Sequence, residues 1–191
     1  MKLRSKGCNA YQIEDRERKI LIDTGTDGKL LASQIDELDA ILITHAHFDH
    51  VAGAWNLERV FGCPVYVHPE DIPYVLGENE FHFGGILGAM AKLFEKFVGY
   101  RAPENVKSIF EFKSSLKIVH LPGHTPGSVC IFKGKVAYCG DLIRGGGKTS
   151  LKSFCSDYET YKKSFSEFLE MDWEKAFPGH GKEILKSTSS P

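Results

Sequence analysis

The stretch "DAILITHAHFDH", residues 39–50, decides how this chain is read. Its first half is a short apolar run with the character of a buried strand. Its second half sets three histidines and an aspartate into positions 45–50. A chain that passes straight from core into imidazoles is presenting chemistry at a strand end, where a rigid sheet carries loops to solvent. In extended backbone His45 and His47 project to the same side, because side chains alternate with a period of two. Two nitrogens at that spacing can grip one ion. Asp49 and His50, displaced along the turn, reach a neighbouring position.

Three later stretches repeat the arrangement. "LPGHTPGS" (121–128) sets His124 in a turn after the strand-like "LKIVH", "YCGDLI" (138–143) sets Asp141 at the end of another apolar run, and "FPGHG" (177–181) does the same for His180. Each is an apolar strand, a glycine, then a side chain able to bind metal; glycine lets the backbone bend sharply and clears space beside a ligand. A lone histidine in such a place is ordinary. Seven metal-capable side chains at four strand ends are not.

The rest of the chain reads as alternating strands and helices. "NAYQI" and "KILID" flank the charged turn "EDRER" as a hairpin, and "DTGTDG" then breaks the chain. A short helix is expected from Leu30 to Leu38 and another over "VAGAWNLERVFG" (51–62), followed by a strand in "PVYVH". Residues 77–103 interrupt the alternation: "ILGAMAKLFEKFVGY" keeps helical apolar spacing, which predicts a helical insertion that covers the site with Phe81, Phe83 and Met90. Strands are then expected in "SIFEF", "LKIVHLP", "SVCIF", "VAYCG" and "KAFPG". "DYETYKKSFSEFLEM" (157–171) reads as an amphipathic helix with Tyr158, Tyr161, Phe165, Phe168 and Leu169 on one flank. "KSTSSP" reads as a frayed tail. With no repeat and no dividing linker, residues 1–191 read as one α/β domain.

The totals narrow the function. A formal charge of −1, with no basic arm, argues against a nucleic-acid partner and points to a small-molecule substrate. No apolar run reaches transmembrane length, and "MKLRSKG" leads into no signal-peptide core, so a cytoplasmic protein without a membrane partner is expected. Five cysteines without CxxC spacing read as free thiols. Oligomeric state is not legible.

The series H-x-H-x-D-H followed by strand-end His, Asp and His resembles the ligand series of the metallo-β-lactamase-fold superfamily, and "DTG" and "PGHTPGS" resemble that family's hydrolases. The resemblance implies a four-layer αβ/βα sandwich: two mixed β-sheets with helices on both outer faces and metals at one edge. It implies that His45, His47 and His124 hold one metal, that Asp49, His50 and His180 hold a second, and that Asp141 bridges them. Two Zn²⁺ are the expected cofactors, with iron or manganese compatible with the same donors. The chemistry implied is hydrolysis by a hydroxide shared between the ions, with Asp49 and Asp141 as the catalytic carboxylates. Asp23 is expected to tie strand ends together near the site, His68 and His120 to be structural, and His82 to be a solvated loop residue.

"GDLIRGGGK" (140–148) resembles the loop of the glyoxalase II branch, in which a basic residue anchors a carboxylate of glutathione. That resemblance makes Lys148 and Arg144 candidate substrate contacts and a thioester or other small ester the expected substrate. The alternatives are a mono-iron persulfide dioxygenase, whose corresponding loop is also similar, and a lactonase.

Overall fold

The structure, a computed structural model, describes residues 1–80 and 99–186. Strands β1 (Lys2–Leu3), β2 (Ala10–Asp15), β3 (Arg18–Ile22), β4 (Ala40–Leu42), β5 (Val65–Val67) and β6 (Val106–Ser108) form one sheet in chain order. It is antiparallel from β1 to β3 and parallel from β3 to β6. A second sheet takes the order β11-β10-β9-β8-β7, from β7 (Lys117–His120), β8 (Val129–Lys133), β9 (Val136–Gly140), β10 (Lys175–Pro178) and β11 (Ile184–Leu185). Only β9 and β10 are parallel in it, so both sheets are mixed.

Strand alternation explains why the two sheets stack and why helices flank them. Successive side chains leave opposite faces. In β3 and β4, Ile20, Ile22, Ala40 and Leu42 enter a core between the sheets, where they meet Val129, Ile131 and Tyr138 of the second sheet. Their neighbours Leu21, Ile41 and Ile43 leave the other face and pack with Leu31 and Leu57. Those two belong to α1 (Gly28–Ala32) and α3 (Ala54–Phe61). On the far side, Cys130, Phe132, Ala137 and Cys139 of the second sheet pack against Tyr161 and Phe168. These lie on α5 (Tyr158–Glu170), the long helix that follows two short ones, α2 (Phe48–Val51) and α4 (Ile72–Val75). Three cores separate four layers, the architecture expected of the sandwich. No described helix is long and apolar enough to cross a membrane.

Several elements differ from expectation. "SIFEF" is not a strand: the sheet takes Val106–Ser108, and Ser108 then caps a single turn of 3₁₀ helix over Ile109–Glu111, accepting from Phe110 N at 3.3 Å. The turn buries Ile109 completely and turns Phe110 outward, 60% exposed. Helix α1 starts earlier and stops sooner than Leu30–Leu38, because Asp27 caps it through Leu30 N at 3.0 Å and Ser33 closes it through Leu30 O at 2.8 Å. Ile35 and Leu38 are buried all the same, so their apolar spacing reports core contact rather than helix. On α5, Leu169 departs from the buried flank at 42% exposure. The helical insertion and the tail fall largely outside the described residues, as do Phe81, Phe83, Met90 and His82.

The two sheets are tied together by bonds from the starts of β8 and β2 to the ends of β4 and β10. Val129 N donates to Thr44 O at 2.8 Å, Asn9 N to Gly179 O at 2.7 Å, and the Tyr11 hydroxyl to Pro178 O at 2.8 Å. Beside this seam His68, at the end of β5, stacks on His120, at the end of β7, with ring centroids 3.9 Å apart and planes 19° apart. Burial, reinforced by His120, pushes His68 from 6.5 down to about 4. An imidazole held neutral in the fold but charged when unfolded stabilises fully above about pH 6.5, and that contribution is lost as pH falls toward 4. His68→Phe, which keeps a stacking ring and removes the titration, is therefore expected to flatten the fall in Tm of metal-free protein across that window. Parallel Tm profiles for the two proteins would refute it.

Candidate metal centre

Each functional side chain stands just beyond a strand. β4 leads to His45 and His47, with Asp49 and His50 on the short α2. β7 leads to His124, β9 to Asp141 and β10 to His180. All seven converge. The rings of His45 and His47 lie 4.8 Å apart, His45 and His124 4.6 Å, His47 and His124 4.5 Å, and His45 and His50 4.0 Å, centroid to centroid. His180 Nε2 is 3.1 Å from Asp49 Oδ2 and 3.4 Å from Asp141 Oδ2. Asp141 also reaches His50 Nε2 at 3.5 Å and His124 Nε2 at 3.7 Å. Three overlapping groups, His45–His47–His124, His45–His50–Asp141 and Asp49–His50–His180, each have donor atoms within 4.8 Å of one another.

The residue behind these donors is Asp23. It closes β3 at a positive φ of 57°, a conformation that non-glycine residues adopt rarely and that recurs at functional sites. Its Oδ2 receives His50 Nδ1 at 2.8 Å and the Thr44 hydroxyl at 2.8 Å, and its Oδ1 receives Thr44 N at 2.8 Å. The Thr44 oxygen, having spent its proton on Asp23, is left to accept from His45 Nδ1 at 3.1 Å. The network thus assigns a proton to Nδ1 in His45 and His50 and points both Nε2 atoms at the centre, the role that hydrogen-bond partners of metal-binding histidines play.

That centre is chemically unbalanced without a cation. The Nε2 atoms of His45, His50 and His124 and Oδ1 of Asp141 are buried and have no hydrogen-bond partner among the described residues. Leaving such atoms unsatisfied costs about 1–3 kcal/mol each. Burial, then the neighbouring imidazoles, holds His45 well below its usual value, and burial pushes His124 down to about 3. Burial opposes ionisation of Asp49, yet the charge of His50 and the hydrogen bond from His180 hold it at about 2. Asp141 is also held low, as burial is outweighed by the His50 imidazole 3.5 Å away and by the neighbouring His124 and His180. Burial opposes protonation of His50, yet Cys8 and the carboxylates of Asp23, Asp49 and Asp141 hold it well above its usual value, so a cation at the centre would take the place of its Nε2 proton. Neutral imidazoles and ionised carboxylates are the forms that bind metal, and with that exchange the donor set fits divalent metal ions. Glycine makes the approach possible at Gly179, where a Cβ would stand 2.4 Å from Asp141 Oδ1 and 2.5 Å from His50 Cε1.

A second cluster, His68–Glu70–His120, also gathers donor atoms within 4.8 Å. Its imidazoles are stacked only 19° from parallel. Imidazole lone pairs lie in the ring plane, so these two do not converge on one ion.

The seven residues line or underlie a cleft of about 500 Å³, with His47, Asp49, Asp141 and His180 on its floor. Phe48, Leu151 and Phe154 make an apolar wall, and Lys6 and Arg144 bring positive charge. Lys6 is paired with Asp27 at 2.8 Å. Arg144 has no side-chain partner among the described residues. Lys148 is exposed and absent from the cleft lining; its backbone pairs with that of Arg144, closing the glycine loop. Reading the sequence alone missed Thr44, Asp71, Leu151 and Phe154. Asp71 carried the one available signal, an acidic residue just past the strand "PVYVH".

Comparison with known proteins agrees with this geometry. A model of the metallo-beta-lactamase superfamily matches residues 4–180. A hydroxyacylglutathione hydrolase, GloC, of Haemophilus influenzae is 31% identical over 156 residues, 77% of this chain and 71% of its own. A "probable metallo-hydrolase" of Methanocaldococcus jannaschii is 29% identical over 191 aligned positions, covering 91% of this chain and 87% of its own. Among solved structures, TTHA1623 in a di-iron-bound form superposes with a TM-score of 0.79 at 29% identity, covering 97% of this chain and 93% of the other. With its strand-end histidines gathered at the seam of two sheets and its length matched from residue 4 to residue 180, the chain belongs to the metallo-β-lactamase superfamily.

Proposed function

We propose that the protein is a binuclear metallohydrolase acting on a small thioester or ester that carries an anionic group. The observation that carries this reading is the set of buried Nε2 atoms of His45, His50 and His124 and Oδ1 of Asp141, without hydrogen-bond partners among the described residues and gathered beneath a cleft that Asp141 lines. His45, His47 and His124 would hold one divalent ion, Asp49, His50 and His180 the other, and Asp141 both. Zinc suits this mixture of imidazole and carboxylate, and the di-iron form of TTHA1623 makes iron the competing occupant. Such ions, when bound, supply water that ionises near neutral pH and polarise a carbonyl oxygen.

The chain's own groups do the rest. Asp49, ionised and on the cleft floor, orients the attacking water, takes its proton and returns it to the departing thiolate or alkoxide. Phe48, Leu151 and Phe154 receive the apolar part of the substrate and exclude water around the carbonyl. Arg144 receives its carboxylate in a two-point contact, the geometry that guanidinium favours. The likeness to GloC supports the thioester class. The grouping of Asp49, His50 and His180 within 4.8 Å favours two ions over the single iron of a dioxygenase.

Metal analysis of the purified protein should find two ions per chain. His124→Ala and Asp141→Ala should each lose metal and turnover together; full metal content and activity in either would show the donor assignment to be wrong. In a panel of a glutathione thioester, a homoserine lactone, glutathione persulfide and a phosphodiester, the thioester should turn over fastest. One iron per chain with oxygen uptake on the persulfide would replace the hydrolase reading.

Arg144→Met tests the anion contact separately. Losing a charged hydrogen bond worth about 1.5 kcal/mol should raise KM for an anionic thioester on the order of tenfold with kcat nearly unchanged. A KM equal to that of the native protein would remove Arg144 from the substrate site.

A further inference from the structure

We infer that Asp71 is the positioning residue of the His45–His47–His124 donor set, clamping together the two loops that carry it. Its side chain is fully buried and makes three hydrogen bonds. Oδ2 accepts from Ala46 N at 2.7 Å and from the Thr125 hydroxyl at 2.6 Å, and Oδ1 accepts from Gly127 N at 2.7 Å. Ala46 lies between the two histidines that follow β4, and Thr125 directly follows His124. One carboxylate thus spans a loop from the first sheet and a loop from the second, and it touches none of the donor atoms itself.

Two further observations show that the carboxylate is committed to this task. Asp71 occupies the N-cap position of α4, where an aspartate ordinarily caps its own helix, yet its side chain makes no cap hydrogen bond there. Gly127 is the complementary adaptation: a Cβ at that position would stand 2.7 Å from Asp71 Cγ, so only glycine admits the carboxylate. Thr125 is itself fixed by Ser128, whose Oγ accepts from Thr125 N at 2.9 Å, so the clamp reaches a loop already set in one shape. Two of the three donors are backbone N–H groups, which can only donate. The amide of an Asp71→Asn variant would turn an N–H₂ toward one or more of them, breaking the clamp at nearly constant volume.

The inference rests on the ligand assignment above but on no choice of substrate, and its test reads metal binding. Metal-free protein is titrated with Co²⁺ in competition with a chromophoric chelator, with Tm and the cobalt visible spectrum followed alongside. Asp71→Asn should bind Co²⁺ about 10–100-fold more weakly, the range for partners that hold ligands in place, with an altered cobalt spectrum. Asp15→Asn serves as the structural control: that buried carboxylate accepts from Ser115 N at 3.1 Å and pairs with Arg18, on segments other than the donor loops. It should lower Tm and leave Co²⁺ affinity unchanged. Native affinity in Asp71→Asn, or an equal loss in both variants, overturns the clamp. Should Asp71→Asn fail to fold, Thr125→Val removes one of the three bonds and decides the matter: weaker Co²⁺ binding supports the clamp, and unchanged binding overturns it. If the native protein takes up no Co²⁺, the ligand assignment falls, and the clamp with it.

Discussion

Desolvation of the histidine cluster is the constraint on which this structure turns. Four imidazoles, of His45, His47, His50 and His124, are almost wholly withdrawn from water, and three of their inward nitrogens have no hydrogen-bond partner among the described residues. Repulsion and burial together make this arrangement unfavourable in the metal-free chain, and nothing local to residues 45–50 would hold it. It is held by the layers around it. Apolar side chains on both faces of β3 and β4 fix those strands between two cores, and the strand ends have no freedom to relax away from one another.

Two buried carboxylates convert that rigidity into orientation. Asp23 works from beneath, through Thr44 and the Nδ1 atoms, and sets which nitrogen each ring presents. Asp71 works from the side, through backbone amides and Thr125, and sets where the loops stand. The division of labour has a physical reason. A ring's rotation is governed by its own second nitrogen, whereas its position is governed by the backbone that carries it, so no single acceptor could control both.

The legible part of the site was the part written in consecutive residues. The run His45 to His50 and the glycine turns around His124, Asp141 and His180 could be read because each pairs a metal-capable side chain with a break at the end of an apolar run. The four layers followed from the same strands. What could not be read depends on contacts between distant segments. Asp71 is indistinguishable in sequence from a helix cap, and its partner Gly127 from an ordinary turn glycine, until the fold puts one against the other. "SIFEF" misled because one turn of 3₁₀ helix can bury Ile109 and expose Phe110 as a strand would. Ile35 and Leu38 misled for the converse reason: both are buried, but by chain that passes over the sheet without helix. Leu151 and Phe154 lie in a stretch with no periodicity to mark them, and join Phe48 in a wall only because the loop after β9 folds over the cleft.

Exposure divides the seven donors unequally, and the division bears on how chemistry is organised. The side chains of Asp49 and His180 are 33% and 29% exposed, and that of Asp141 12%, while His45 and His124 are only 2% and 1% exposed as residues. The two ends of the centre therefore differ in their surroundings: the histidine end holds the deeply buried His45 and His124, and the carboxylate-rich end is open to the cleft. In the proposed hydrolase, imidazoles kept neutral by burial, as those of His45 and His124 are, would leave the charge of a cation largely uncompensated, which would favour polarisation of a neutral carbonyl. The open end would favour the handling of water and protons, since the partly exposed Asp49 has access to solvent that a buried imidazole lacks. Arg144 lines the same open cleft, so in the proposed hydrolase the anionic end of a substrate would sit where its desolvation costs least. The asymmetry is set by which strand ends face the seam and which face its mouth.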